Sequence, residues 1–540
     1  MAGAEPELED AMENWRLVKM KINDIMNLIN ELEERFPVDR WVIDSVHMWP
    51  LIRFHLYFSF FDSHFCEKKT VLPPPLGTSS MAGTIKSLNF AKIAFRTLRS
   101  IWRFGCAQVM DSQKSLRANS RFDVLLLNYN TYMTLVNGSW YSRLCDPFVS
   151  HLSERGMSCL MLTAGYGYSI PRFTKSMFIQ PYLTIYRIMG TLNRNSKYER
   201  LEQLIELENH VRGSGLFPES FGLIKQVSRR IKQITAIEKY FKRLLMKTKP
   251  RAVFVTCCYS TESMALILAC HHLGIPSIDI QHGLQGDLHI AYGRWNRLPE
   301  KGYELLPTIF WCWSEFEAST IKRWSKNANV HQPVVGGNLF LQRWAVSDDD
   351  DVVRTFDEIM SGLKRNTKKG IHILYSLNGC TKNELGTMVE IIKGVNNSGL
   401  RSYFWVRLHP VTIDQKPEVR RILNENGINN FELDNATRLP LYAILRHMDI
   451  HITECSSVVI EAESFHVPSI VVREIGTDNF PEQVSSGWAM PAYTIDEIIS
   501  GIQSQLERRP LLKEKRSNSS VPIDEVFDYL FDLVSQSPRR

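Results

Sequence analysis

The stretch that decides the fold is "RAVFVTCCYSTESMALILACHHLGIPSIDIQHG", residues 251–283. Two short apolar runs, 252–255 and 276–280, flank a segment long enough for a helix, which ends at Gly274. Strands buried on both faces of a parallel sheet are apolar almost throughout, and their alternation with helices is typical of α/β proteins. The stretch therefore predicts one strand–helix–strand unit of a parallel sheet.

The same alternation extends in both directions from this unit. Towards the N-terminus the apolar runs are "FDVLLLNYN" and "MSCLMLTA"; towards the C-terminus they are "TIFWCWS", "IHILYSLNG", "SYFWVRLHP", "NFELDN", "DIHITECSS" and "PSIVVRE". An acidic run, "SDDDD" at 347–351, separates two such series. The pattern predicts an α/β chain with two Rossmann-like, doubly wound halves that face a cleft. Ligands bind outside the carboxyl ends of strands in such sheets, so we expect the active site in that cleft.

Boundaries in composition divide the chain into four parts. Residues 1–36 are predicted to be helical up to Pro37, and the aromatic stretch 41–65 forms either a buried helix or a hairpin that covers the core. A Pro- and Gly-containing linker follows at 68–84. We predict a helical N-terminal extension (1–117), a first Rossmann-like half (118–340), a second Rossmann-like half (341–520) and a C-terminal tail helix (521–540).

Composition limits the function classes. Of 540 residues, 44% are hydrophobic and 23% are charged, and the net charge of +6 is too small to indicate a nucleic-acid partner. The 10 cysteines form no CxxC pair and no zinc-ligand spacing with histidines. We expect a cytoplasmic protein without disulfides, without a signal peptide and without a spanning helix.

One segment suggests a membrane surface. Between residues 85 and 110 there is no acidic residue, and Lys92, Arg96, Arg99 and Arg103 share one helix face. A basic face beside an apolar face suits a helix that lies on an anionic membrane. An ordinary amphipathic helix packed on its own domain fits the pattern equally well. A peripheral location on the inner face of the plasma membrane therefore stays open.

Three polar clusters follow predicted strands, and two of them lie in the second half. Ser456 and Ser457 come directly after "DIHIT", where Ser456 is a natural N-cap for a helix predicted to run to Pro468. Such a helix start favours a phosphate, and Glu461 on the next turn suits ribose hydroxyls. Simple capping without a ligand is the alternative.

The second cluster is Arg407 and His409, at the end of "SYFWVRLHP". A histidine held before Pro410 can donate to a phosphate or a leaving group, and Arg407 can neutralise phosphate charge; a turn histidine and a salt bridge are the alternatives. Asn378, in "YSLNG", ends the first strand of the same half. That loop lacks GxGxxG spacing and the chain has no P-loop, so neither a dinucleotide cofactor nor P-loop chemistry is expected.

The third cluster, in the first half, centres on His282. A neutral imidazole is a competent general base for a hydroxyl, whereas a lone histidine is more often satisfied inside a turn. Glu262 is a second candidate acid, which either orients His282 or caps a helix. The following loop suits a sugar acceptor through Asp287, His289, Tyr292 and Trp295. No carboxylate pair has metal-ligand spacing, so no metal is expected.

Together, the two halves, the "HP" after one strand and the "SS" before a later helix resemble GT-B glycosyltransferases that use cytidine-linked donors. Bacterial sialyltransferases, polysialyltransferases and Kdo transferases are of this kind. The resemblance covers about residues 120–500. It implies that 118–340 is the acceptor half and 341–520 the nucleotide-sugar donor half, and that His409, Ser456 and Ser457 contact the CMP part of the donor. Where sialyltransferases carry an acidic motif that supplies the base, this chain has Gln281-His282-Gly283. A His-Gly at a similar place also resembles the teichoic-acid glycerophosphotransferases.

The expected function is the transfer of a Kdo-like or sialic-acid-like sugar from a CMP-activated donor to a glycan or glycolipid, in capsule- or lipopolysaccharide-type biosynthesis. No cofactor beyond the donor substrate is expected. The alternatives are a CDP-glycerol or CDP-ribitol phosphotransferase and a non-catalytic GT-B scaffold. The sugar, the linkage and the oligomeric state stay open.

Overall fold

The computed structural model describes residues 24–43, 45–65, 121–136, 138–165, 170–192, 202–218, 221–283, 285–287, 289–326, 330–346, 351–365, 367, 370–515 and 522–536. The basic segment 85–110 lies outside these ranges, as do residues 1–23. The chain divides into two compact units. The first unit comprises Met20–Gly337 together with Pro522–Arg540, and the second unit contains Asn338–Val521.

The N-terminal part of the first unit is helical apart from one short hairpin. Residues 24–35 form helix α1, strands β1 (Val42–Ile43) and β2 (Val46–His47) pair antiparallel, and helix α2 covers Trp49–Phe65. Both forms that the sequence left open for 41–65 are therefore present, the hairpin first and the buried helix after it. Apolar residues of α1 and α2, such as Ile29 and Phe54, are buried in the core of this unit.

A seven-stranded sheet forms the centre of the first unit, with the order β11-β10-β9-β8-β3-β6-β7. All its pairs are parallel. The strands of this unit are β3 Val124–Tyr129, β4 Met133–Val136, β5 Ser139–Ser142, β6 Cys159–Ala164, β7 Ser176–Phe178, β8 Ala252–Thr256, β9 Ser277–Ile280, β10 Ile309–Cys312 and β11 Gln332–Val335, of which β4 and β5 form a separate hairpin. The strand order reverses between β3 and β8, which is the switch point of this sheet.

Helices cover the first sheet. They are α3 Asp146–Glu154, α4 Gln180–Leu192, α5 Glu202–Gly213, α6 Leu223–Thr248, α7 Thr261–Leu273 and α8 Glu315–Ser325. Helix α7 is apolar on all sides and buried, because it packs between the sheet and α6. Ser260 accepts a hydrogen bond from the backbone N–H of Ser263 and so caps the start of α7 at the carboxyl end of β8.

The second unit has a six-stranded parallel sheet with the order β14-β13-β12-β15-β16-β17. Its strands are β12 Ile371–Ser376, β13 Ser402–Arg407, β14 Phe431–Glu432, β15 Ile450–Thr453, β16 Ser469–Val471 and β17 Ala489–Pro491. Its helices are α9 Leu339–Val346, α10 Asp351–Arg365, α11 Lys382–Asn397, α12 Lys416–Glu425, α13 Asp434–Arg438, α14 Leu441–Leu445, α15 Val458–Ser464, α16 Glu474–Asn479, α17 Pro481–Ser486 and α18 Ile495–Lys515. In chain order this is the 3-2-1-4-5-6 arrangement of the dinucleotide-binding fold, and its switch point lies between β12 and β15.

The last helix, α19 (Ile523–Gln536), packs on the first unit. Arg155 Nη1 donates to Asp524 Oδ1 at 3.0 Å, and the Phe527 ring lies 5.3 Å from that of Trp311. Residues distant in sequence thus complete the first unit.

The predicted α/β fold with two doubly wound halves is confirmed by these two parallel sheets and their flanking helices. The apolar runs form strands because nearly all their residues are buried, as in "VLLLNY" of β3. No helix within the described ranges has both the length and the apolar composition that crossing a membrane requires.

Candidate functional site

The candidate donor site in the second unit lies at the carboxyl ends of three adjacent strands. Ser376 at the end of β12 is in register with Arg407 of β13 on one side and Thr453 of β15 on the other. The segments that follow these three residues therefore leave the sheet at the same edge. The sequence-predicted residues Asn378, His409, Ser456 and Ser457 all belong to these segments.

The loop after β12 is fixed by an internal carboxylate. Glu384, near the start of α11, accepts hydrogen bonds from the backbone N–H groups of Asn378 (2.5 Å), Gly379 (3.0 Å) and Cys380 (2.7 Å). These donors are the ones that a phosphate would use in such a loop. In this chain those backbone N–H groups are already hydrogen-bonded to Glu384. A ligand would therefore contact the side chains of the loop.

Asn378 is the residue of that loop whose side chain has a polar atom unsatisfied by the described part of the chain. Its Nδ2 lies 2.6 Å from Cys455 Sγ, whereas its Oδ1 is buried without a hydrogen-bond partner among the described residues. Ser376 Oγ, at the end of the same strand, is in the same state. Burial raises the pKa of the Cys455 thiol, so Cys455 stays neutral. The end of β12 thus carries two buried polar atoms that lack partners.

His409 and the serine pair are accessible. His409 is exposed, and its Nδ1 accepts the backbone N–H of Val411 at 3.3 Å, which starts a short 3-10 helix at Pro410–Gln415. Ser456 and Ser457 are half-buried. Helix α15 begins at Val458, and Ser457 at the position before it makes no capping hydrogen bond with its side chain. Ser456, the predicted cap, lies one residue further out, and its Oγ accepts the backbone N–H of Val458 at 3.4 Å. The helix also ends at Ser464, before the predicted Pro468.

Two predicted donor contacts are engaged in holding the unit together. Arg407 Nη1 donates to the carbonyl oxygens of Ala436 (2.5 Å) and Leu439 (2.9 Å), which fixes the segment after β14. Glu461 is buried, and its Oε1 accepts a 2.6 Å hydrogen bond from the Tyr442 hydroxyl. These contacts give Arg407 and Glu461 supporting roles, so we leave both out of the proposed donor contacts.

Glu454 lies at the same strand end as Ser456 and Ser457, and the sequence indicated no role for it. It directly follows β15, is buried, and lies with its Oε1 3.4 Å from Arg473 Nε. Burial raises the pKa of Glu454 to about 7, against the effect of Arg473, and Glu384 raises it further. The available signal was an acid placed between an apolar strand and a serine pair.

In the first unit, His282 lies beside the switch point. Ile280 at the end of β9 is in register with Thr256 at the end of β8, and His282 follows two residues later. Its Nε2 is 3.3 Å from the Tyr259 hydroxyl, while its Nδ1 is buried without a partner in the described part of the chain. Burial lowers the pKa of His282 to about 4, against a hydrogen-bonding contribution from the Ile280 backbone that raises it, so the ring is neutral at physiological pH. Tyr259, in the loop after β8, was missed by the sequence prediction.

Glu262 is bound to an arginine. It is buried in the first turn of α7 and accepts a hydrogen bond from Arg187 Nη2 of α4. Among the described contacts, none joins Glu262 to His282. The structure therefore gives Glu262 a different partner from the one that the sequence suggested.

The loop after His282 is partly open and partly core. Asp287 is half-exposed and pairs with Arg323 Nη2 at 2.5 Å, and His289 accepts the N–H of Ala291 through Nδ1 at 3.2 Å. Tyr292 and Trp295 are buried: the Tyr292 hydroxyl donates to Asp279 Oδ2 at 3.0 Å, and Trp295 Nε1 donates to the Ala291 carbonyl at 3.2 Å. Their burial leaves them little surface for an acceptor, so we assign both to supporting the loop.

Arg53 of helix α2 holds the loop that follows His282. Arg53 is buried, and its Nη2 donates to the carbonyl oxygens of Gly293 (2.6 Å) and Arg294 (2.8 Å). Its guanidinium also stacks 4.2 Å from the centroid of the Trp295 ring. The described part of the N-terminal extension thus positions the candidate acceptor loop.

No group of three or more His, Cys, Asp or Glu residues in the described ranges is arranged to hold a metal ion. The expectation of a metal-independent site stays a prediction.

Known proteins similar to this chain are solved structures of low sequence identity. No protein-family model and no curated protein matches this chain. Among solved structures, UDP-GlcNAc 2-epimerase from Neisseria meningitidis bound to UDP-GlcNAc is 16% identical with a TM-score of 0.47, covering 76% of this chain and 99% of its own.

Two further solved structures have comparably low identity and TM-scores. A putative UDP-N-acetylglucosamine 2-epimerase from Listeria monocytogenes is 12% identical, with a TM-score of 0.47 over 78% of this chain and 99% of its own. A ugt transferase from Siraitia grosvenorii in complex with UDP is 13% identical, with a TM-score of 0.44 over 76% of this chain and 100% of its own. The two parallel sheets described above define the fold of this chain.

Proposed function

We propose that this chain is a GT-B glycosyltransferase that moves a Kdo-like or sialic-acid-like sugar from a CMP-activated donor to a glycan or glycolipid acceptor. The observation that carries the proposal is the pair of buried polar atoms without partners, Ser376 Oγ and Asn378 Oδ1, beside the switch point of the second sheet. Buried polar atoms without partners are uncommon in native proteins, and this edge is where doubly wound sheets bind nucleotides.

The donor contacts come from three adjacent strand ends. Asn378 and Ser376 offer polar atoms that suit a base or ribose, while the hydroxyls of Ser456 and Ser457 and the exposed imidazole of His409 offer hydrogen bonds to the phosphate. Glu384 fixes the loop that carries Asn378, and Arg407 and Glu461 stabilise the segments around it. Glu454, with its raised pKa, keeps the negative charge at this edge low near neutral pH.

His282 is the proposed general base. For Nδ1 to accept a proton, Nε2 must carry the hydrogen and donate it to the Tyr259 hydroxyl, which fixes the ring. In the transfer step the acceptor hydroxyl oxygen bonds to the anomeric carbon of the sugar, and its proton passes to Nδ1. The bond from that carbon to the CMP phosphate oxygen breaks, and CMP leaves with the bonding electrons. Asp287 and His289 are the proposed acceptor contacts.

The acceptor class fits capsule- or lipopolysaccharide-type biosynthesis at the inner face of the plasma membrane. The support for this location is the basic segment 85–110 in the sequence, which offers four cations on one predicted helix face.

A donor screen tests the proposed function. Binding and turnover are measured with CMP-Kdo, CMP-sialic acid, CDP-glycerol and UDP-sugars, for the wild type and the variants S456A/S457A and S500A. Ser500 is exposed on α18 and serves as the matched control. We expect the CMP-linked sugars to be preferred, with S456A/S457A impaired and S500A unaffected. Preference for CDP-glycerol would indicate a glycerophosphotransferase, and binding of no nucleotide would indicate a non-catalytic scaffold.

A further inference from the structure

Two guanidinium groups and one carboxylate meet beside the switch point of the first sheet. Glu262, in the first turn of α7, is buried and accepts a hydrogen bond from Arg187 Nη2 of α4. Arg230 of α6 donates its Nη2 to the carbonyl oxygen of Tyr259 at 2.7 Å, in the loop that leads from β8 into α7. Three helices thus bring these charges to the edge where the strand order reverses.

The charges of this cluster do not balance. Burial lowers the pKa of Arg230 to about 10, while Glu262 raises it and Arg187 lowers it. Cys257, the other acidic group acting on Arg230, is a neutral thiol because burial raises its pKa to about 12. Among the described residues, one carboxylate therefore faces two guanidinium groups. The Arg187 side chain is 29% exposed and Arg230 is half-buried, so this excess positive charge can be reached from solvent and attracts a counter-ion.

Both arginines also have donors without acceptors. Arg187 Nε and Arg230 Nε are buried atoms that find no hydrogen-bond partner in the ranges that the structure describes. The planar set of donors on a guanidinium group matches the geometry of an oxyanion such as phosphate. Charge and unsatisfied donors thus indicate the same missing group, an anion.

We propose that Arg187 and Arg230 bind a phosphate group carried by the acceptor; its assignment to the acceptor rests on the proposed function. Phosphate is chosen because the Glu262 carboxylate, with one negative charge, is already hydrogen-bonded to Arg187. The ligand must compete with that carboxylate. A phosphate monoester carries about −1.5 to −2 charges near neutral pH, so it competes for the guanidinium groups more effectively than a second carboxylate would.

Calorimetric titration of the full chain with inorganic phosphate, without nucleotide, tests the site. We expect the wild type to bind, and R187Q and R230Q to bind at least about tenfold more weakly, since each loses a charge-assisted hydrogen bond. R229Q is the matched control, because Arg229 is exposed on the same helix, and its affinity should be unchanged. The proposal would be overturned if the wild type does not bind phosphate, or if R187Q and R230Q bind it as tightly as the wild type does.

Glu262→Gln supplies a test of opposite sign. Removal of the internal competitor should tighten phosphate binding about threefold or more, because one negative charge beside the ligand disappears. If Glu262 and Arg187 form only a structural ion pair, E262Q lowers the thermal midpoint and leaves phosphate affinity unchanged, which would contradict the proposal. This variant and R187Q decide the matter even where R230Q does not fold.

Three further ligands identify the source of the phosphate. Farnesyl phosphate represents a lipid-linked acceptor, glucose 1-phosphate a free sugar phosphate, and glucuronic acid a carboxylate. Tighter binding of either phosphate ester supports the proposal and names its source, whereas glucuronic acid binding as tightly as both esters would overturn it. CMP affinity should be the same in R187Q and the wild type. If the wild type binds phosphate but does not bind CMP, the proposed function and the assignment of the phosphate to the acceptor are refuted, whereas the anion site is not.

Discussion

Arg53 Nη1 donates to Glu33 Oε1, and both side chains are completely buried. Each partner makes further hydrogen bonds to the same loop. Glu33 Oε2 accepts the backbone N–H of Asn296 at 2.8 Å, and Arg53 donates to carbonyl oxygens at 290–294. The ion pair therefore connects helices α1 and α2 to the loop that follows His282.

Breaking this pair should destabilise the first unit strongly. We expect E33Q to lower the free energy of unfolding by about 3–5 kcal/mol, because it leaves the Arg53 charge buried and unpaired. Urea denaturation followed by tryptophan fluorescence measures the change. Glu34, the exposed neighbour, provides the control E34Q, which should lie within about 0.5 kcal/mol of the wild type. Equal midpoints for E33Q and E34Q would contradict the assignment.

Asp279 should make stability depend on pH near neutrality. Burial raises its pKa from 3.8 to about 7, against the hydrogen bonds from Tyr292 and Cys258. The folded chain therefore holds a proton between pH 3.8 and about 7 that the unfolded chain has released, so this contribution to stability is present at low pH and is lost as pH rises through 7. Asp279→Asn lacks the proton equilibrium. The wild type should lose thermal stability relative to D279N between pH 5 and pH 8.5, and a constant difference between the two midpoints would disprove the shift.

His282 and Tyr259 should affect turnover differently. H282A should lower kcat by at least about 100-fold, because the step loses its general base. Y259F keeps the ring and removes only the hydroxyl that orients His282, so we expect a fall in kcat of about tenfold with KM nearly unchanged. Steady-state kinetics with the preferred donor measure both. CMP affinity serves as the control for folding, and full turnover by H282A would exclude His282 as the base.

The basic segment should direct the chain to anionic membranes. We expect the variant K92Q/R96Q/R99Q/R103Q to co-sediment with phosphatidylserine-containing vesicles at least about tenfold more weakly than the wild type, since each cation contributes near the surface. Neutral phosphatidylcholine vesicles are the control, for which both proteins should show the same weak binding. Unchanged sedimentation with anionic vesicles would remove the membrane role.

Much of the fold is predictable from local sequence. Continuous apolar runs such as "VLLLNY" can be buried on both faces only in a parallel sheet, and their alternation with helical segments specifies two doubly wound halves. His282, His409 and the serine pair also follow the carboxyl ends of strands, as the sequence predicts, and their contacts with ligands stay predictions.

The partners of the polar side chains could not be predicted in this way, because they come from distant parts of the sequence. Arg407 binds carbonyl groups 29 and 32 residues away, and Arg187 reaches Glu262 over 75 residues. Arg53 lies in the aromatic stretch 41–65, and the loop that it holds is about 240 residues later. A single sequence identifies such residues as unusual and leaves their partners open.

Calorimetric titration with CMP tests the central claim most directly, that the edge of the second sheet binds the donor nucleotide. The wild type should bind CMP, and S456A/S457A, H409A and N378A should each bind at least about tenfold more weakly, since each loses hydrogen bonds to the ligand. S500A and H282A should retain wild-type affinity. Failure of the wild type to bind CMP, or equal affinity in S456A/S457A and the wild type, would contradict the account.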